Sequence, residues 1–319
     1  MGDDRDGQHS TPTGVVVLGM HRSGTSATTG LISLLGLSTC IPEDLLHGTS
    51  TNAKGHWESR SLIAFNEKLL AQMGRKWWYP PSIDQLREWE ASPSSMPLIE
   101  ARAVFDHAHP VEPWVWKDPR TCLTLAYWRH ALDRPVAGII VYRKPLEVAG
   151  SLKRRDYMSS QFGVALWERY NRVLLKQAGG MPVLVTPYED LLRDPAGWSE
   201  TVREFLTGLG MAVHPVVDTK MVDRFVDPKL NHGADGPDDL GAGIGDSSSA
   251  KLYGALRDLE GIHPSFVAPV LGDEPSWVGA ELDAIGPGWH PSWKVPGSTR
   301  PPLHVRFRSL VKRVTSPSP

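Results

Sequence analysis

Cysteine is nearly absent: the chain holds two, Cys40 and Cys122, with no CxxC pair. That excludes a disulfide framework and a structural zinc site, and fits a reducing cytoplasm. Long hydrophobic runs are missing too, since polar residues interrupt every apolar segment well short of a membrane span. Neither charge dominates: 34 Lys and Arg face 36 Asp and Glu, a net charge of −2. This balance speaks against general nucleic-acid binding. The stretch Met1 to Thr13 is polar and acidic, without the basic-then-apolar pattern of a signal peptide. There is no internal repeat and no metal-ligand cluster, so no metal is implied. What remains is a chain of 319 residues, 40% hydrophobic and 22% charged, able to bury a normal core. Tryptophan is abundant at 12, mostly as packing residues.

Short β-branched runs alternate with helical periodicity. Val15 to Leu18, Trp114 to Trp116, Val136 to Tyr142 and Met181 to Thr186 read as buried strands. Helices are expected from Gly24 to about Leu35, from Cys122 to Leu132, from Pro145 onward and over Gly163 to Ala178. The last carries Trp167, Tyr170 and Leu174 on one face. Asp194-Pro195 is an N-cap and first-turn pair for a further helix. Strands alternating with helices predict an α/β fold, a P-loop-type parallel sheet covered by helices on both faces.

Residues 1–13 read as a flexible N-terminus and 14–231 as the P-loop domain. Residues 232–249, rich in Gly, Asp and Ser, read as a mobile loop, and 250–319 as a helical, Pro-rich extension with a basic tail. Within the domain, the Pro and Ser of residues 80–100 suggest a surface insertion, and residues 286–302 read as extended. In the tail, Leu303, Phe307, Leu310, Val311 and Val314 share a helical face beside five Arg and Lys. Docking on the domain, or no fixed structure, is favoured over weak contact with an anionic membrane surface.

The strongest motif is Gly19-Met20-His21-Arg22-Ser23-Gly24-Thr25-Ser26, between the first strand and the first helix. Its two glycines have the spacing of a P-loop, where backbone N–H groups and a helix N-terminus hold a phosphate. A nucleotide-hydrolysing loop carries Lys directly after the second glycine. Here that position is Thr25, and the cation is Arg22, inside the loop. A cation there sits beside the oxygen that bridges a 5'-phosphate and its leaving group. His21 reads as a loop-packing residue. A second anchor is Arg143, at a strand end, with Ser151 eight residues later. A guanidinium offers a bidentate fork to a phosphate, and the serine adds a hydroxyl donor.

The segment VVLGMHRSGTSATTGLISLLG, Val16 to Gly36, resembles the 5'-phosphosulfate loop of the sulfotransferases that use 3'-phosphoadenosine-5'-phosphosulfate (PAPS). It is nearest the branch with Arg in the loop, which includes carbohydrate and tyrosylprotein sulfotransferases. The resemblance runs in patches from Val15 to Asn231; the C-terminal third matches nothing we can name. It implies a PAPS site formed by His21, Arg22, Ser23, Gly24, Thr25, Ser26, Arg143, Ser151 and Tyr188, the last near the adenine within Tyr188-Glu189-Asp190-Leu191. In it Arg143 and Ser151 match the family's 3'-phosphate motif, a strand-end Arg followed eight residues later by Ser. Glu189 and Asp190 themselves read as acidic residues at a helix start. The resemblance also implies that Lys117 helps neutralise the sulfuryl group, with Arg120 as an alternative or as an ion-pair partner of Asp118. A Glu after the first helix would be the base. Glu58, in Lys54-Gly55-His56-Trp57-Glu58, matches best, with Glu43 and His56 as rivals and helix capping as its other role. Arg22, Glu58 and Lys117 form the expected catalytic set. The family's cytosolic branch has a His two residues after the strand-end Lys; this chain has Pro119, which excludes that mechanism.

The acceptor expected from the resemblance is a hydroxyl on a sugar, glycolipid or glycosylated natural product. Trp57, Trp77, Trp78 and Tyr79 are candidates to stack on it, or to be core. A P-loop kinase-like enzyme and a non-catalytic nucleotide-binding protein are the competing readings.

Overall fold

The computed structural model describes residues 11–46, 55–91, 98–215, 222, 225 and 247–286. Its centre is a five-stranded sheet of order β2-β1-β3-β4-β5. Strands β1 (Gly14–Leu18), β2 (Trp114–Lys117), β3 (Ala137–Tyr142) and β4 (Val183–Pro187) run parallel, and β5 (Gly261–His263) adds antiparallel to β4.

Both faces are covered because successive strand residues point to opposite sides. Val16 and Leu18 enter one core with Trp116, Ile140 and Tyr142. Val15 and Val17 enter the other with Val115, Ile139 and Val141. Each buried Val or Leu stabilises by roughly 1.5–3 kcal/mol. The second core is closed by α1 (Thr25–Ser33), α8 (Tyr188–Arg193) and α9 (Pro195–Gly208). The first takes the remaining helices, including α2 (Arg60–Gln72), α5 (Thr121–Leu132), α6 (Pro145–Asp156) and α7 (Ser160–Gln177). Trp114, Trp116, Trp128 and Trp167 are fully buried, as packing residues should be. Local signals act as expected at α9, where Asp194 Oδ1 accepts from Gly197 N at 2.9 Å and Pro195 fills the first turn.

Residues 80–100 are not a plain surface insertion. They contain α3 (Ile83–Ala91) and the start of α4 (Leu98–Ala108), and Leu86 joins the first core. The Pro and Ser residues cluster at the start of α3 and in 92–97, leaving the apolar spacing of the helix intact. Residues 247–249, expected in a loop, begin α10 (Ser247–Asp258). Buried Glu168 of α7 accepts from Ser248 Oγ at 2.7 Å and Ser249 Oγ at 2.6 Å. Residues 247–286 therefore supply α10, β5 and α11 (Ser276–Ile285) to the same sheet and core. The flexible N-terminus expected before residue 11, the loop over residues 232–246, the extended stretch over 287–302 and the basic tail lie outside the described residues. Among the described residues no helix is long and apolar enough to cross a membrane.

Four parallel strands end at one edge of the sheet. Gly19, Lys117, Arg143 and Tyr188 lie at those ends, far apart in sequence. The chain order reverses at β1, which has β2 on one side and β3 on the other. Open α/β sheets bind ligands at such a switch point.

Candidate active site

The loop after β1 is shaped by three close approaches. Gly19 has no room for a side chain, since a Cβ would lie 2.4 Å from Val141 O, and its N–H donates to Cys122 Sγ at 3.2 Å. Arg22 and Gly24 both adopt left-handed backbone, with φ of 72° and 92°. Such alternation turns successive N–H groups toward one concavity. The N-terminus of α1 has no side-chain cap, so its first N–H groups are available to an anion. Ser23 Oγ is buried without a hydrogen-bond partner. A buried hydroxyl aimed into a nest of N–H groups fits a phosphate oxygen. Gly24 lies against the ring of Tyr188, 2.0 Å from where a Cβ would stand. Gly24→Ala should therefore cost more than the roughly 1–2 kcal/mol of a left-handed L-residue, and should abolish nucleotide binding. Denaturant midpoints and calorimetry check both.

Arg22 reaches across the cleft, its Nε donating to Ser151 Oγ at 2.8 Å. Burial brings the Arg22 guanidinium down to about 10, with Arg155 next and Arg143 and Arg154 also acting, against Asp156. It stays a cation at neutral pH. Arg143 directly follows β3; its Nε donates to Glu147 Oε2 at 2.6 Å and its guanidinium lies 5.2 Å from the Tyr188 ring centre. Arg22, Ser151, Arg143 and Tyr188 thus lie together beside the loop after β1.

Lys117 is 1% exposed and ion-paired to Glu58, and its Nζ is 3.4 Å from Ser26 Oγ in the first turn of α1. Glu58 does not cap α2: Ser59 does, its side chain accepting from Leu62 N at 3.1 Å. Left-handed backbone at Gly55 and Trp57 turns the chain so that Glu58 faces inward, 7% exposed. Asp44 steadies the turn, accepting from Ser61 N at 3.0 Å and Ser61 Oγ at 2.7 Å. Of the rivals, His56 lies nearby, its carbonyl accepting from Ser26 Oγ at 3.4 Å. Its imidazole is held below the usual range by burial, with Lys117, Arg155 and Arg22 acting the same way against Glu58. Glu43 is exposed. Arg120 is the ion-pair partner of Asp118, at 2.9 Å, and of Glu67, at 2.6 Å.

His21 packs on Trp77, ring centres 4.3 Å apart, and edge-on to Tyr170. Burial, followed by Arg120, Arg155 and Lys117, pushes its pKa well down, so the ring is neutral. Trp77 and Trp78 are buried, as core rather than as an open stacking surface, while Trp57 is half-buried against Phe225. Three contributors escaped the sequence reading. Arg155 lies over the Trp77 ring at 5.4 Å and acts on His21, Arg22 and His56. The run Lys153-Arg154-Arg155 was its visible signal. Glu147, one turn after Arg143, had the spacing of a helical ion pair. Cys122 had no signal at all: burial raises its thiol to about 12, so it serves the loop as a neutral sulfur acceptor. Among the described residues no group of three or more His, Cys, Asp or Glu could hold a metal ion.

The fold is a mostly parallel α/β fold that gathers Arg22, Lys117, Arg143 and the uncapped start of α1 at the carboxyl ends of its strands. No protein-family profile matches the chain, and no curated protein does. Among solved structures it is similar to a sulfotransferase domain from the olefin synthase of Synechococcus PCC 7002. Identity is 17%, 98% of each chain is covered, and the TM-score is 0.37. A likeness of that degree carries no argument about function, which must come from the site.

Proposed function

We propose that this chain is a sulfotransferase that moves a sulfuryl group from PAPS to an acceptor hydroxyl. The observation that carries the reading is the Arg22–Ser151 bond of 2.8 Å. It joins the cation of the 5'-phosphate loop to the hydroxyl of the 3'-phosphate motif, so one ligand bearing both groups spans them. The orphaned Ser23 Oγ and the cations Arg22, Arg143 and Arg155 fit a polyanionic nucleotide. Thr25 in place of the Lys of a nucleotide-hydrolysing loop argues against the kinase-like alternative.

In this reading the acceptor oxygen bonds to sulfur while the bond from sulfur to the 5'-phosphate oxygen breaks. Glu58 takes the hydroxyl proton. Arg22 and the loop N–H groups stabilise the charge growing on the leaving phosphate, and Lys117 does so at the sulfuryl oxygens. His21, packed against Trp77, supports the loop. Tyr188 lies beside the adenine. The acceptor class is a hydroxyl on a sugar, glycolipid or glycosylated natural product, proposed on the family resemblance alone.

The direct test is transfer from isotopically labelled PAPS to a panel of sugars, glycolipids and cell extracts, read by mass. No labelled product from any of them would overturn the proposal. Binding gives a second test. Calorimetry should find 3'-phosphoadenosine 5'-phosphate bound about ten- to a hundredfold more tightly than 5'-AMP, the value of one charge-assisted contact. Equal affinities would remove the 3'-phosphate from Arg143 and Ser151.

A further inference from the structure

This inference rests on Arg143 as the 3'-phosphate ligand. Arg143 is held on several sides. Its carbonyl accepts from Trp167 Nε1 at 3.0 Å, its guanidinium faces the Tyr188 ring, and its Nε donates to Glu147 Oε2 at 2.6 Å. Both side chains of this pair are about nine-tenths buried, 9% and 11% exposed. A guanidinium has two bidentate edges, one through Nε and one through the two terminal nitrogens. With Nε taken by Glu147, the terminal edge is the one left for a second anion.

Glu147 carries a negative charge beside a proposed phosphate site, which by itself weakens phosphate binding. Its benefit must therefore be geometric. Glu189 shows what it prevents. Apart from its own amide, the Glu189 carboxyl has no donor, and both oxygens are buried without a hydrogen-bond partner. Burial raises its pKa and the charge of Glu147 adds to the rise, while its own amide, Arg143 and Lys144 pull it back. An untethered Arg143 has this second carboxyl within its electrostatic reach.

We propose that Glu147 is a positioning residue for 3'-phosphate selectivity: it holds Arg143 Nε, so that the terminal nitrogens face the nucleotide rather than turning to Glu189.

The test compares affinities for 3'-phosphoadenosine 5'-phosphate and 5'-AMP by calorimetry on the full chain. Glu147→Ala should lower the ratio about tenfold while leaving 5'-AMP binding unchanged. Glu147→Gln, whose amide oxygen still accepts from Nε, should keep most of the ratio. Adding Glu189→Leu to Glu147→Ala should restore part of it. A ratio kept or raised in Glu147→Ala overturns the proposal and makes Glu147 a simple counter-ion. If that variant does not fold, Glu147→Asp, which keeps the charge but falls a methylene short, must show the same loss. A wild-type protein with no preference for the 3'-phosphate would instead strike Arg143's own assignment, and the inference with it.

Discussion

Glu58→Gln is expected to lower kcat by about 10²–10⁴-fold, the usual contribution of a general base, with nucleotide affinity nearly unchanged. The amide keeps the shape of the side chain and removes the proton acceptor. Glu58 is suited to the role because Ser59, not Glu58, caps α2, and the Glu58 carboxylate is instead held by Lys117 near the start of α1. Lys117 in turn reaches Ser26 at the start of the phosphate-loop helix, so base and loop are linked through one cation. A kinetic series on the full chain decides the matter. Near-normal kcat in Glu58→Gln, with a loss in His56→Ala or Glu43→Gln, would move the base to one of those residues. Glu43 is the poorer alternative, being exposed.

Lys117→Met should destabilise the fold by about 3–5 kcal/mol, because it strands a buried carboxylate without its partner. The side chains of Lys117 and Glu58 are 1% and 10% exposed, so water offers little compensation. Glu58→Gln strands the ammonium in the same way, by a smaller margin since Lys117 keeps an amide oxygen as acceptor. The double variant Lys117→Met, Glu58→Gln removes both charges, and it should be more stable than Lys117→Met alone. Urea midpoints of the four proteins close the cycle. Simple addition of the two single effects would show that the pair is not coupled. Transfer activity should be lost in both proteins that lack Lys117, whatever their stability, if Lys117 supplies the charge proposed to meet the sulfuryl oxygens.

Much of the scaffold was legible in the sequence because it is governed by local physics. β1 and the loop after it follow from a β-branched run, two glycines and an apolar-periodic segment, and α9 from its Asp194-Pro195 start. Arg143 and Ser151 could be paired only through the resemblance, whose motif has a strand-end Arg followed eight residues later by Ser. Where local signals misled, composition outweighed periodicity. The Pro and Ser around residues 80–100 hid α3, whose apolar positions, Leu86 above all, were there to be read. β5 has three residues and no pattern, so only its pairing with β4 makes it a strand.

The sequence by itself determined the glycine loop after β1, the alternation of the four parallel strands with α1, α5, α6, α7 and α9, and the residue types available for chemistry. Only the tertiary structure decided which of them meet. Parallel pairing in the order β2-β1-β3-β4 sends four strand ends to one edge, and packing of opposite strand faces into two separate cores holds that order. Arg22 on Ser151, Lys117 on Glu58, Tyr188 under Gly24 and Cys122 behind Gly19 are consequences of that edge. Spacing along the chain cannot encode them, because their separation is set by burial between distant strands rather than by any turn or helical period.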